Sequence, residues 1–89
     1  MAFLRLVFTV YWDGAEPSTE PLYLQSALPA HLTSAEISSA EDQCLAMMKA
    51  HAGMDCVPLR AIFIAAYPID LSVTEVSALG WRLMASQTV

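Results

Sequence analysis

Two histidines and two cysteines, His31, Cys44, His51 and Cys56, are the residues best suited to hold a metal ion or to act as nucleophile and base. Their spacing works against both uses. Cys44 and His51 lie seven residues apart in one helical pattern, which puts about 10.5 Å of rise between them. A zinc ion needs donor atoms at about 2.0–2.3 Å, so this pair does not converge on one ion. The chain has no C-x-x-C and no H-E-x-x-H. Cys44 reads as a small core residue. Cys56 follows Asp55 and has no basic neighbour to favour a thiolate. Among the serines there is no G-x-S-x-G elbow. Gly14, Gly53 and Gly80 are isolated, so no loop cradles phosphate. The carboxylates of 13–20 and 36–42 read as solvated. The expectation is a protein without catalytic residues, metal or cofactor.

What remains is the chemistry of contact. Tyr11, Trp12 and Tyr23 flank an acidic stretch that holds Asp13, Glu16 and Glu20. Aromatic side chains supply much of the energy at protein interfaces. These six residues are the candidate partner-binding set. The net charge is −5, and the four basic residues, Arg5, Lys49, Arg60 and Arg82, form no run. Direct nucleic-acid binding is therefore not expected. An acidic edge suits a larger protein with a basic surface. On that reading, charge reversal at Glu16 and Glu20 weakens partner binding and leaves the thermal midpoint unchanged. Met47, Met48, Met54 and Met84 offer deformable apolar contact, although methionine at helical spacing also serves as core.

The element that must position these residues is a helix over about 38–52. Ser38 and Glu41 form a capping box, with Asp42 beside them in the first turn. Lys49 and His51 stand near the C-terminal end, and Gly53 suits a left-handed cap. Ile37, Ala40, Cys44, Leu45, Met47, Met48 and Ala52 fall on one face at 3.6-residue spacing. Thr33 and Glu36 make a second box that would start the helix earlier, with Leu32 and Ile37 as its hydrophobic staple.

Around the helix the pattern is that of strands. Residues Phe3–Trp12 alternate with one fully apolar face and one mixed face. Asp13-Gly14 marks a turn, and Leu22–Leu28 reads as a second strand in a hairpin with the first. Leu59–Tyr67 is nearly continuous in apolar character, which predicts a strand in the middle of the sheet. Ser72 and Glu75 form another capping box, and Val73, Val76, Leu79 and Leu83 share a helical face, so a C-terminal helix over about 73–85 is expected, with an edge strand at Gly80–Leu83 as the alternative. Residues 86–89 are expected to fray.

The chain thus predicts a single α+β domain over 1–89. It is a two-layer sandwich, an antiparallel sheet of three to four strands carrying one main helix. Its longest apolar stretch, Ala61–Ile69, falls short of the roughly 20 residues that span a bilayer. The apolar N-terminus lacks the basic region and cleavage pattern of a signal peptide. Two cysteines make no disulfide framework, so a cytoplasmic setting is expected. Hydrophobic residues make up 56% and charged residues 15% of the sequence. A domain this small has little interior to hide that surplus, which predicts a homodimer or a dedicated partner. Two functions follow. One is a small acidic protein-binding regulator that inhibits a larger partner by blocking a functional surface. Small accessory proteins of mobile elements share this profile by analogy. The other is a homo-oligomeric enzyme or ligand-binding protein whose site lies between subunits.

Overall fold

The computed structural model describes residues 1–25, 32–53 and 55–84. In chain order they form β1 (Ala2–Asp13), β2 (Ser18–Gln25), α1 (Ser34–His51), β3 (Val57–Asp70), α2 (Val73–Leu79) and a 3-10 turn (Gly80–Arg82). The three strands make one antiparallel sheet in the order β2-β1-β3. The result is the expected α+β fold with one main helix and a short C-terminal one.

The alternation in β1 decides the layers. Leu4, Leu6, Phe8 and Val10 are buried, and they meet Ala40, Cys44 and Met48 of α1. Leu22 of β2 and Ala61 of β3 complete that layer. Phe8 and Phe63 meet edge to face at 5.9 Å and 73°, a geometry that sets the positive rim of one ring against the face of the other. The hairpin turn rests on Gly14, whose φ of 95° is left-handed. A Cβ at Gly14 would also meet the Asp55 carbonyl oxygen at 2.8 Å, so the link after α1 closes against this turn.

Several expectations are corrected. The helix starts four residues before Ser38. Thr33 is the cap, and the reciprocal bonds run Glu36 N–H to Thr33 Oγ1 at 3.2 Å and Thr33 N–H to Glu36 Oε1 at 3.0 Å. Glu41 therefore caps nothing. Gly53 is not left-handed, because Ala52 ends the helix by turning extended. β3 is an edge strand rather than a central one, since β1 pairs on both sides. Its continuous apolar run has a different cause. Register shifts opposite Val7/Phe8 and Tyr11/Trp12 leave Ile64 and Leu59 unpaired and exposed. β3 also continues through Pro68 to Asp70. β2 begins at Ser18 rather than Leu22, and the 26–28 part of its predicted span lies outside the described residues. α2 keeps the Ser72/Glu75 box but ends at Leu79, where Gly80 takes a φ of 59°. His31, Met54 and the expected fraying at 86–89 lie outside the described residues.

The chain after α2 returns to the outer edge of β2. Met84 N–H donates to the Tyr23 carbonyl at 2.7 Å, and Leu83 forms a parallel bridge with Tyr23. Arg82 donates through Nη1 to the Pro21 carbonyl and through Nη2 to Glu20 Oε1, each at 2.9 Å. Met84 is buried in the core, so this edge is both bonded and packed.

Candidate functional site

The six sequence candidates divide between the two faces of the sheet. Trp12 and Glu20 turn to the helix side. The Trp12 indole N–H donates to Ser18 Oγ at 2.8 Å, and Glu20 pairs with Arg82 at 2.9 Å. Tyr11 and Tyr23 turn to the other face. Asp13 and Glu16 are exposed at the hairpin end. The acidic loop is thus not one surface, since its Glu20 is a fastener inside the molecule.

On the helix side, Trp12, Glu20, Met48, His51, Ala52 and Trp81 line an open cleft of about 170 Å³. The His51 ring stacks on the Trp81 indole at 4.6 Å and 14°. The Arg82 guanidinium lies 4.5 Å from the same indole. A carboxylate, a guanidinium and an indole here satisfy one another, which is what joining the C-terminal segment to α1 and β2 requires. Cys44 is buried close by, and burial pushes its thiol up to about 12, with the Glu20 carboxylate adding to the shift. It stays a protonated thiol at neutral pH. Among the described residues, no three His, Cys, Asp or Glu side chains gather in a metal-binding group.

The face opposite α1 is different. Cross-strand pairing builds it in rows: Tyr23–Arg5–Tyr67, Pro21–Val7–Ala65, Thr19–Thr9–Ile62, and then Tyr11–Arg60. All three tyrosines of the chain and two of its four basic residues stand there. Tyr11 is 42% exposed and Tyr67 53%. Arg5 lies over the Tyr23 ring at 5.6 Å and Arg60 over the Tyr11 ring at 5.8 Å, both within cation–π range. Arg5 Nε is out of solvent yet has no hydrogen-bond partner; Gln43 Oε1 on α1 is in the same state. The face closes at one end, where Phe3 and Leu71 are buried.

No family model, curated protein or solved structure matches the chain. Geometry therefore carries the functional reading.

Among the described residues no strand pairs with the outer edge of β3; this edge is the competing surface, and it is blunted. Two bulges bend it, and Pro58 and Pro68 remove an N–H near each end. At the first bulge the Phe63 amide is taken by Glu41 Oε2 at 2.8 Å. Protection of this kind discourages strand addition. The open face has none of it.

Of the residues on this face, the sequence named Tyr11 and Tyr23 as partner-binding candidates but not Arg5, Arg60 or Tyr67. A signal for Arg5 was present: it interrupts the mixed face of β1. Arg60 and Tyr67 gave none, because two bulges shift the alternation of β3 that would have placed them.

Proposed function

We propose that the chain is a protein-binding module, a small stoichiometric regulator that docks on a larger protein through the sheet face opposite α1. The observation that carries this reading is the row Tyr23–Arg5–Tyr67, with Tyr67 more than half exposed and Tyr11–Arg60 at the far end of the same face. Tyrosine and arginine dominate interface hot spots because each adds broad apolar contact to a polar tip. Among the described residues, four of the eight exposed large hydrophobic ones, Val57, Leu59, Ile64 and Tyr67, belong to β3, which borders this face. Blocking a functional surface of the partner is the role such a rigid face suits best. The exposed Asp13 and Glu16 at its end would add steering toward positive charge.

The test is site-specific crosslinking in the cells that make the protein. A photo-reactive residue at Tyr67 should give one stoichiometric adduct with a larger protein, and the same group at Ala46, exposed on α1, should give none. Tyr67→Ala with Tyr11→Ala should abolish recovery of that protein while the chain stays folded. Equal adducts from both positions, or recovery unaffected by the two substitutions, would remove the open face from function.

A further inference from the structure

We infer that the occupant of the open face is an acidic, extended segment of the partner, with two carboxylates held by Arg5 and Arg60. This rests on the reading of that face as a docking surface. The chain carries nine carboxylates against four basic side chains. None of the nine falls in the rows between Tyr23–Arg5–Tyr67 and Tyr11–Arg60; Asp13 stands just beyond them. Charge is therefore sorted within an acidic molecule, and this face is its locally positive one. Arg5 Nε has given up water without gaining an acceptor. A donor in that state costs free energy until an acceptor reaches it. A partner's carboxylate would supply one once the Arg5 side chain turns outward from the Tyr23 ring, in a charge-assisted bond.

The spacing sets the form of the ligand. Arg5 and Tyr11 are six residues apart on β1, and Arg60 pairs with Tyr11. At 3.2–3.4 Å per residue the backbone positions of Arg5 and Arg60 lie about 20 Å apart along the strand. An extended peptide spans that distance with acidic residues six positions apart. Val7, Ala65, Thr9 and Ile62 between them offer a mostly apolar floor for its intervening side chains. Single-stranded nucleic acid also stacks on tyrosine. It would set more phosphates over the same length than the two guanidiniums can meet, on a chain of net charge −5. The peptide brings two charges to two, and the observations favour it.

The probes are a ten-residue peptide with glutamates at positions 2 and 8 and valine and threonine between, its twin with glutamine at both places, and a ten-nucleotide deoxythymidine strand. Binding is followed by NMR on the intact chain. The acidic peptide should shift the Arg5 and Arg60 Nε–H signals and the amides of Val7 and Thr9. The glutamine twin should bind at least tenfold more weakly, and Arg60→Gln should lower affinity for the acidic peptide at least tenfold. Arg5→Lys, which keeps the charge and removes the orphaned Nε, should weaken binding too. Equal affinity for the two peptides overturns the acidic-segment inference and leaves the docking face standing. Preference for the oligonucleotide overturns both. No shift with any probe overturns the inference alone, and crosslinking from Tyr67 still decides the docking reading.

Discussion

The carboxylate of Glu41 on α1 accepts a hydrogen bond from the backbone amide of Phe63 on β3, 22 residues away, at 2.8 Å. It ties the covering helix to the edge strand at the bulge where the ladder with β1 shifts register. Glu41→Ala leaves that part-buried amide without an acceptor. An unsatisfied buried amide costs about 1–3 kcal/mol, so stability should fall by that amount, whereas Glu41→Gln should lose less because its oxygen still accepts. Urea unfolding measures both. A Glu41→Ala loss below about 0.5 kcal/mol, the range of ordinary surface substitutions, would mean the bond is not made.

The helix start gives a paired test. Thr33→Ala removes a cap whose loss typically costs about 1 kcal/mol. Ser38→Ala lies inside α1 and on its exposed side, so it should be neutral or slightly stabilising. The reverse order of effects would restore the start at Ser38. The bond from the Thr33 backbone holds the Glu36 carboxyl below its ordinary 4.5, and the Ser72 backbone does the same for Glu75. The folded chain thus holds these protons less tightly than the unfolded one. Their support is complete above pH 4.5 and fades as pH falls through the lower folded values. Glu36→Gln should flatten the acid limb of the stability curve, and an unchanged limb would remove Glu36 from the box.

Glu16 and Glu20 should separate. Glu16→Lys alters an exposed loop position and should leave stability within about 0.5 kcal/mol. Glu20→Lys breaks the bond to Arg82, whose side chain is 31% exposed against 17% for Glu20. Hydrogen bonds to charged groups are worth about 1.5–3 kcal/mol, and a loss in the lower part of that range is expected. This replaces the expectation that reversing both charges leaves the thermal midpoint nearly unchanged. Calorimetry of the two variants decides it; a Glu20→Lys midpoint equal to that of Glu16→Lys would place the ion pair outside the fold's support.

The two thiols should differ in rate. Cys56 is half-buried and should be alkylated by iodoacetamide in the native state, and Cys44, on the buried face of α1, only as fast as the domain unfolds. Mass spectrometry at timed intervals reads the order. Cys44 also carries a pH signature of opposite sign to Glu36. Its folded pKa is raised to about 12 from 9.0, so the unfolded chain loses a proton that the folded chain keeps. Stability should fall as pH rises from 9.0 toward 12, and Cys44→Ala should lose that component. Equal alkylation rates for the two thiols would take Cys44 out of the core.

Local chemistry fixed a good part of this molecule. The alternation of Phe3–Trp12 was enough to make β1 a strand with one buried face, because a period of two leaves no other way to bury Leu4, Leu6, Phe8 and Val10 together. The same holds for Ala40, Cys44 and Met48 at helical spacing, and for the Asp13-Gly14 turn, where the backbone itself demands glycine. These signals lie within a few residues of one another, so no partner is needed to interpret them.

Tertiary structure decided the rest. Two capping boxes of equal chemistry stood five residues apart, and the outcome between them left Glu41 free to meet Phe63 across the fold. Leu59–Tyr67 carries the same apolar run whether it is central or at an edge; pairing of β1 on both sides and two bulges made it an edge. Arg5 lies more than fifty residues from Arg60 and Tyr67, and only strand register sets them on one face with Tyr11 and Tyr23. Register is a relation between strands, and no single strand's sequence contains it.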